Sequence, residues 1–381
     1  MVRHASRLLV LLAVAAAGSA HALNLAEAYQ RAQARDPQVR AARAAAEATR
    51  ERIPQARSQL LPQAVLNLQR TRNDLRSQQP GFQGTTVSEH RHYDSENHQL
   101  TVRQPLYKPQ ATAQLRQARA LVEGGEATLE REEQALVMRL TQAYLEALQA
   151  EEQLRLVGVQ RAAYTGQLEA ARRGFAGGTG IRTDIDEAQA RLDLNVADEL
   201  GARQAVEYTR RQLGLIIGEP VTSLSPVAVD RMPLAVPQPA RLEDWLARAE
   251  AASPDIRAAQ AQLAAAREDV RRAQAGHLPT LDAIGQISRS DSDNPTRVDT
   301  KYNLAYIGLQ LNVPLYQGGL VSSQVRQALA EVERLESVVD ATRQELSVRV
   351  HREFRGVTEG IARVRALEQA VRSGEQLVTS S

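Results

Sequence analysis

The chain is written twice, so any fold it adopts has to be assembled from two copies of one unit. Asp36-Pro37-Gln38-Val39-Arg40-Ala41-Ala42 is echoed by Ser253-Pro254-Asp255-Ile256-Arg257-Ala258-Ala259, and each passage runs as an Ala-rich helical stretch into a Leu-Pro pair. Pro37 to Pro62 is 25 residues, and Pro254 to Pro279 is again 25. Gln104-Pro105-Leu106-Tyr107 finds its counterpart in Val313-Pro314-Leu315-Tyr316, and both introduce a second helical region. Several elements recurring in one order are the signature of a duplicated structural unit.

The register of those second helical regions is a sharper test. Leu115, Val122, Leu129 and Leu136 recur every seven residues, after which the stripe steps by four to Leu140, Ala147, Leu154, Arg161 and Leu168. Adding 210 gives Val325, Val332, Val339 and Leu346, then Val350, Val357, Val364, Val371 and Val378, with the four-residue step at the same place. Only Arg161 breaks the apolar set. A heptad stripe specifies a left-handed coiled coil, and a four-residue insertion is a stutter that locally unwinds it. The abundance of Ala, Gln, Arg, Glu and Leu, with 3% aromatic residues, suits long helices better than an ordinary globular core.

Between the helical regions the period changes from helical to two. In Asn303–Val313, Ala305, Ile307, Leu309, Leu311 and Val313 alternate with Leu304, Tyr306, Gly308, Gln310 and Asn312, which predicts a strand with one apolar face. Ala64–Asn73 and Leu281–Ser290 read as strands too, and the polar stretch Asp74–Asn97 reads as a surface loop inserted in the first strand pair. Leu25–Leu61 reads as a helix with Pro54 as a kink or a joint between two segments, and its second-copy partner runs from about Ala240 to Leu278. Pro109–Gly174 would rise about 99 Å if helical throughout. The same rise is available to two shorter helices, Ile181–Leu213 and Leu25–Leu61, stacked end to end. Gly214–Pro239, with Pro220, Pro226, Pro233, Pro237 and Pro239, reads as a breaker-rich connector.

The domain plan is therefore a leader over 1–22, a first repeat over 23–213 with its strand pair at 63–107 and a turn at 175–180, a connector over 214–239, and a second repeat over 240–381 with its strand pair at 281–316. The leader has a basic start at Arg3, His4 and Arg7, a ten-residue apolar run Leu8–Ala17, and a small-residue cleavage site ending at Ala22. That run is too short for a transmembrane helix, which needs about 20 residues. There is no cysteine, which excludes disulfides, thiolate metal sites and a cysteine nucleophile. An exported chain without a long apolar helix is either soluble in the periplasm or crosses a membrane as a β-barrel. Lys+Arg 47 against Asp+Glu 45, with no basic cluster, gives no electrostatic footprint for nucleic acid.

No catalytic constellation emerges: there is no phosphate loop, no His-Glu-x-x-His helix and no Gly-x-Ser-x-Gly elbow. His90, His92 and His98 lie close together, and two have a spacing that can share a metal in an extended segment, but they read as solvated loop residues. No cofactor is expected, and the acidic residues read as solvated helix faces.

The Leu-Asn-Leu-Ala-Glu-Ala start at Leu23, the Asp36-Pro37 turn, the junction prolines Pro62, Pro105, Pro279 and Pro314, and Tyr316-Gln317-Gly318-Gly319 together resemble the TolC family of outer-membrane efflux and secretion proteins. The resemblance covers nearly all of the chain after the leader, and it rests on order and duplication more than on any one motif. It implies a mainly α protein with a β part: a long coiled-coil helical barrel plus four strands per chain contributed to a trimeric transmembrane β-barrel. Four strands cannot close a barrel, whereas three chains supply twelve. A passive conduit across periplasm and outer membrane is implied, in a tripartite efflux pump or type I secretion system. The implied partners are further copies of the chain as a homotrimer, a periplasmic adaptor, an inner-membrane pump or ABC exporter, and outer-membrane lipid. The alternative is a periplasmic coiled-coil adaptor or scaffold, which should carry one helical hairpin, not a duplicated one.

In this family the periplasmic tip carries a glycine turn and a Thr-Asp at the start of the return helix. The match here is Gly177-Gly178-Thr179-Gly180-Ile181-Arg182-Thr183-Asp184, followed by Asp186. Thr183 or Asp184 can cap the new helix. The resemblance also implies gating or adaptor contact for Gly178, Thr179, Gly180, Arg182, Thr183, Asp184 and Asp186. A second tip is expected about 210 positions after the first, beyond Ser381, so the second copy is expected to lack its tip and return helix.

Overall fold

The computed structural model describes residues 22–80, 84–228, 234–294 and 297–380. The proposed leader thus lies outside the described residues, apart from Ala22. Helices α1 (Leu25–Arg35), α2 (Pro37–Arg50) and α3 (Arg52–Ser58) lead into strands β1 (Gln63–Pro80) and β2 (Thr86–Tyr107). Helices α4 (Pro109–Ala176) and α5 (Arg182–Ile217) complete the first half. The second half repeats the order with α6 (Leu242–Ala252), α7 (Pro254–Gln274), strands β3 (Thr280–Asn294) and β4 (Arg297–Asn312), and α8 (Leu320–Ser380). No helix among the described residues is long and apolar enough to cross a membrane.

Both repeats start their Ala-rich helix in the same way. The Asp36 carboxylate accepts from the Val39 N–H at 2.9 Å, and the Ser253 hydroxyl accepts from the Ile256 N–H at 3.3 Å, with Pro37 and Pro254 at the first helical position. A proline there loses nothing, since its N–H would have had no partner in the helix. The joint expected at Pro54 falls just ahead of it: the helix breaks at Glu51, and Pro54 is the third residue of α3. Pro54 cannot donate to the carbonyl four residues back, so continuity fails ahead of it.

The chain divides into two compact units. One comprises the residues up to Ala44, Leu129–Val236 and those from Ile361 onward; the other comprises Ala45–Thr128 and Pro237–Gly360. The first contains the main apolar core, where Leu136 and Leu140 of α4, both 1% exposed, meet Leu213 and Ile217 of α5 and Ala28, Ala32 and Val39. Leu136 and Leu140 are the two sides of the predicted stutter, and both turn inward. The Tyr144 hydroxyl donates to the Ser225 carbonyl at 2.7 Å and lies 3.0 Å from that of Leu23. Leu23 bridges in parallel to Leu224, which ties the start of α1 to the connector. Glu219 is clasped by Arg31 and Arg35, and those two hydrogen bonds hold its carboxyl below the usual carboxylate range.

In the second unit, α4 packs against α2 and α7 through Gly124 and Gly125. A methyl group on Gly124 would lie 3.2 Å from the Ala261 Cβ, and one on Gly125 would lie 3.2 Å from the Thr49 Cγ2. Paired glycines inside a helix cost propensity, and here they allow two neighbours to approach. The apolar stripe of α8 is covered at Val325, Val332, Val339, Leu346 and Val350. From Val357 onward it lies open, through Val364 and Val371 to Val378 at 76% exposure.

Candidate membrane sheet and hairpin tip

The four strands form one antiparallel sheet in the order β1-β2-β3-β4. Because side chains alternate across a strand, the register decides which residues share a face. One face carries successive apolar rows across all four strands: Leu66, Leu100, Ile287 and Ala305, then Ala64, Val102, Gly285 and Ile307. Ala283 with Leu309 and Leu281 with Leu311 continue it. From Ala305 to Leu311 is about 20 Å of strand. No described helix covers this face: Ile307 is 88% exposed, Leu309 70% and Leu311 64%. A contiguous apolar patch of this kind marks a surface that is buried by something else.

Along the same face toward the turns, the character switches abruptly from apolar to charged. Arg70, Glu96, Asp291 and Lys301 form one row, with Arg70 pairing to Asp94 at 3.2 Å and Lys301 to Asp291 at 3.3 Å. The opposite face is mostly polar and hydrogen-bonded to itself. Gln99 donates to Gln286 at 3.0 Å and to Thr101 at 3.1 Å, and the Tyr306 hydroxyl donates to Gln286 at 3.1 Å. Arg103 pairs with Asp282, which is 4% exposed. Sequence periodicity points to the apolar face, whereas this polar ladder follows from register and is not visible in any one strand.

Two expectations about the sheet need correction. Asp74–Asn97 is not a surface loop: β1 runs to Pro80 and β2 starts at Thr86, with Asp74 directly opposite His92. Its polar alternation hid the strands, because beyond the apolar rows neither face has to be greasy. Of the four junction prolines, Pro62 and Pro279 immediately precede β1 and β3, and Pro314 follows β4. Pro105 instead lies inside β2, at the register shift between Pro105 and Tyr107. A bulge there accommodates a residue that has no N–H to give to the ladder.

The tip is a tight reversal between α4 and α5. The Gly174 carbonyl accepts from the N–H groups of Thr179 at 3.0 Å and Gly180 at 3.1 Å, and from the Thr179 hydroxyl at 3.1 Å. Gly178 has φ +74°, a left-handed conformation that glycine adopts without strain. Gly180 passes so close to the end of α4 that a Cβ would meet the Phe175 nitrogen at 3.1 Å. Of the two capping candidates it is Asp184 that acts, accepting from the Ile181 N–H at 3.2 Å. This is one half of a capping box. Arg182, Thr183 and Asp186 are exposed, and among the described residues their side chains make no hydrogen bond or ion pair.

Between tip and core, the helical hairpin holds a polar layer. Arg161, the residue that breaks the heptad, donates to Glu199 of α5 at 2.8 Å, and Arg203 donates to the other carboxylate oxygen at 2.5 Å. Asn195, 2% exposed, reaches the Val157 carbonyl at 3.4 Å. Burial pushes the Glu199 carboxyl up, but the two guanidinium groups outweigh it and hold the carboxyl below its ordinary value. A depressed folded value means the stabilisation is present above the unfolded carboxylate range, near ~4.3, and disappears as pH falls through the folded value. Glu199→Gln is therefore expected to lower the thermal midpoint at pH 7, and the gap from the unmodified chain should narrow as the pH falls below the unfolded carboxylate range. Circular dichroism melts at neutral and acid pH measure it, and a gap that persists undiminished at acid pH would refute it. An arginine in an otherwise apolar stripe was the available sequence signal for an acid on the return helix.

Comparison with known proteins agrees with this architecture. The sequence model of the family described as outer membrane efflux protein matches residues 28–219 and 245–380. The chain is similar to the proteases secretion protein PrtF of Dickeya chrysanthemi, with 31% identity over 385 residues, covering 100% of this chain and 82% of that protein. It is similar to the alkaline protease secretion protein AprF of Pseudomonas aeruginosa, with 30% identity covering 95% of this chain and 75% of that one. Among solved structures, the outer-membrane channel OprN superposes with a TM-score of 0.72 at 20% identity, over 92% of this chain and 77% of that one. The outer membrane protein VceC of Vibrio cholerae gives 0.69 at 19% identity, over 92% of this chain and 83% of that one. Duplicated helices, a four-stranded sheet with one bare apolar face, and a family match spanning both repeats lead to one assignment: the chain belongs to the outer membrane efflux protein family.

Proposed function

We propose that this chain is one subunit of a channel through the bacterial outer membrane, a passive conduit extended into the periplasm by its helices. The observation that carries the reading is the sheet with an exposed apolar face and a hydrogen-bonded polar face. In hydrocarbon the apolar side chains meet lipid, while the polar ladder faces water inside. Every strand edge in a membrane has to be paired, and β1 and β4 each leave one unpaired edge. Further copies of the chain pair β4 of one to β1 of the next, and three copies close a twelve-stranded ring. No group has to change covalently for solute to pass, which fits a transport protein and not an enzyme.

Relatives whose names specify protease secretion favour type I secretion of a protein cargo over small-molecule efflux as the setting. The partners are then a periplasmic adaptor and an inner-membrane ABC exporter, which supply energy and substrate choice. The recurrence of the whole unit, Ala-rich helix, strand pair and long helix, argues against the adaptor or scaffold reading. At the tip, unpaired Arg182 and Asp186 present charge to whatever docks there or to the neighbouring copies, while Asp184 is engaged by its cap.

Purified protein in detergent is expected to run as a heat-modifiable trimer and to conduct ions in a planar bilayer. Asp186→Asn with Arg182→Gln should change its conductance without changing its assembly. Recovery as a water-soluble monomer from periplasmic extract, without conductance, would overturn the channel. Unaltered conductance in the double variant would remove the tip from the gating path.

A further inference from the structure

The two longest strands outrun the rest of the sheet. Among the described residues β2 pairs with β3 only from Ser95 to Tyr107, so within one chain β1 beyond Thr71 and β2 before Ser95 form a two-stranded ribbon. A lone ribbon has little to hold its strands together. On one face of it, His90 and His92 stand two residues apart on β2, and Asp74 lies directly across from His92 on β1. The His90 Nε2 is 2.5 Å from the Asp74 Oδ1, and the His92 Nδ1 is 3.8 Å from that same oxygen. One nitrogen from each ring and the carboxylate oxygen all lie within 4.8 Å of one another. Among the described residues no other trio of histidine and acidic side chains gathers this closely.

We propose that Asp74, His90 and His92 form a binding site for a divalent transition metal of the zinc class. Two imidazoles and one carboxylate are a donor set that suits Zn²⁺, with water able to fill the fourth, solvent-facing position. Tetrahedral zinc holds its nitrogen and oxygen ligands at about 2.0–2.2 Å, which puts ligand atoms roughly 3.4 Å apart. The two measured separations bracket that value, so adjustments of about an ångström, within reach of exposed side chains, complete the site. Arg76 opposite His90 and Arg72 opposite Asp94 flank the trio, and Asp94 continues the same face of β2. His98 lies further along that face beside Glu96, at 3.7 Å, and is not a ligand.

A metal held by one side chain of β1 and two of β2 cross-links the ribbon where, among the described residues, β3 of the same chain does not reach it. The trio shares the face of Leu100 and Val102, beyond the charged row. The ion therefore comes from the external medium and not from the lumen. That placement rests on the channel reading; the binding itself does not.

Equilibrium binding of Zn²⁺ to the full-length, untagged protein in detergent tests it, with trimer content followed on the same samples. One Zn²⁺ per chain is expected, undisturbed by excess Ca²⁺ or Mg²⁺, which take oxygen ligands. His90→Gln with His92→Gln should abolish it, Asp74→Asn should weaken it at least tenfold, and His98→Gln should leave it unchanged. Bound Zn²⁺ should also slow amide exchange in 73–78 and 87–93. Absence of stoichiometric binding, survival of binding in the double histidine variant, or its loss in His98→Gln would overturn the site. Trimer formation and conductance report separately on the channel reading.

Discussion

Ile307→Arg is expected to abolish stable trimers in the outer membrane, whereas Tyr306→Arg, one residue away, is expected to leave them intact. Ile307 stands in an apolar row with Ala64, Val102 and Gly285, while Tyr306 bonds to Gln286 on the polar face. Placing an arginine at mid-membrane depth on the lipid face of a barrel costs about 2–4 kcal/mol per site. Each copy of a homo-oligomer carries the penalty, so a trimer bears roughly 6–12 kcal/mol, comparable to the whole stability of many folded proteins. On the inner face the same charge stays hydrated, so its effect should appear as altered ion selectivity. Heat-resistant trimer content in outer-membrane fractions and single-channel selectivity separate the two. Equal assembly of both variants, or worse assembly of Tyr306→Arg, would reverse the assignment of faces.

Leu140→Ala is expected to cost about 2–5 kcal/mol, the range for emptying a fully buried leucine site. Leu140 packs with Leu136, Leu213 and Ile217, the point at which α4, α5 and the first helices share one core. The heptad step brings two leucines into this site, because Leu136 and Leu140 are only four apart and both are buried. Leu140→Met, which conserves volume, should cost less than about 1.5 kcal/mol. Gln142→Ala, at an exposed position nearby, should stay within about 0.5 kcal/mol. Thermal melts of the helical signal check the order of the three; a Leu140→Ala melt matching that of Gln142→Ala would contradict the core described here.

Periodic segments were legible in the sequence and compensated ones were not. A heptad stripe forces a helix to bury one side, so Val122, Leu136, Leu140, Ala147 and Leu168 were identifiable before any coordinates, and all are buried. The Ala305–Leu311 alternation likewise specified its apolar face. The ribbon over Asp74–Asn97 gave no such signal: both of its faces are polar, and its register is set by β1–β2 pairing that composition does not report. Asp74 consequently stood apart from His90 and His92 until pairing brought the strands together. Arg161 read as a fault in the stripe because its partner, Glu199, is 38 residues away on another helix. At the tip, the glycines and Asp184 were readable as turn and cap, while any role for Arg182 and Asp186 depends on neighbours beyond a single chain.

The meander has an even number of strands, so every copy finishes with the opposite polarity to the one it began with. Its last edge is thus always complementary to the first edge of an identical neighbour, and the hydrogen-bonding rule is satisfied by a ring of any size. Ring size must then be chosen by how the helical flanks wedge against each other. Substitutions far from any strand, on the outer sides of α4, α5 or α8, are the ones that should convert threefold rings into larger or smaller ones.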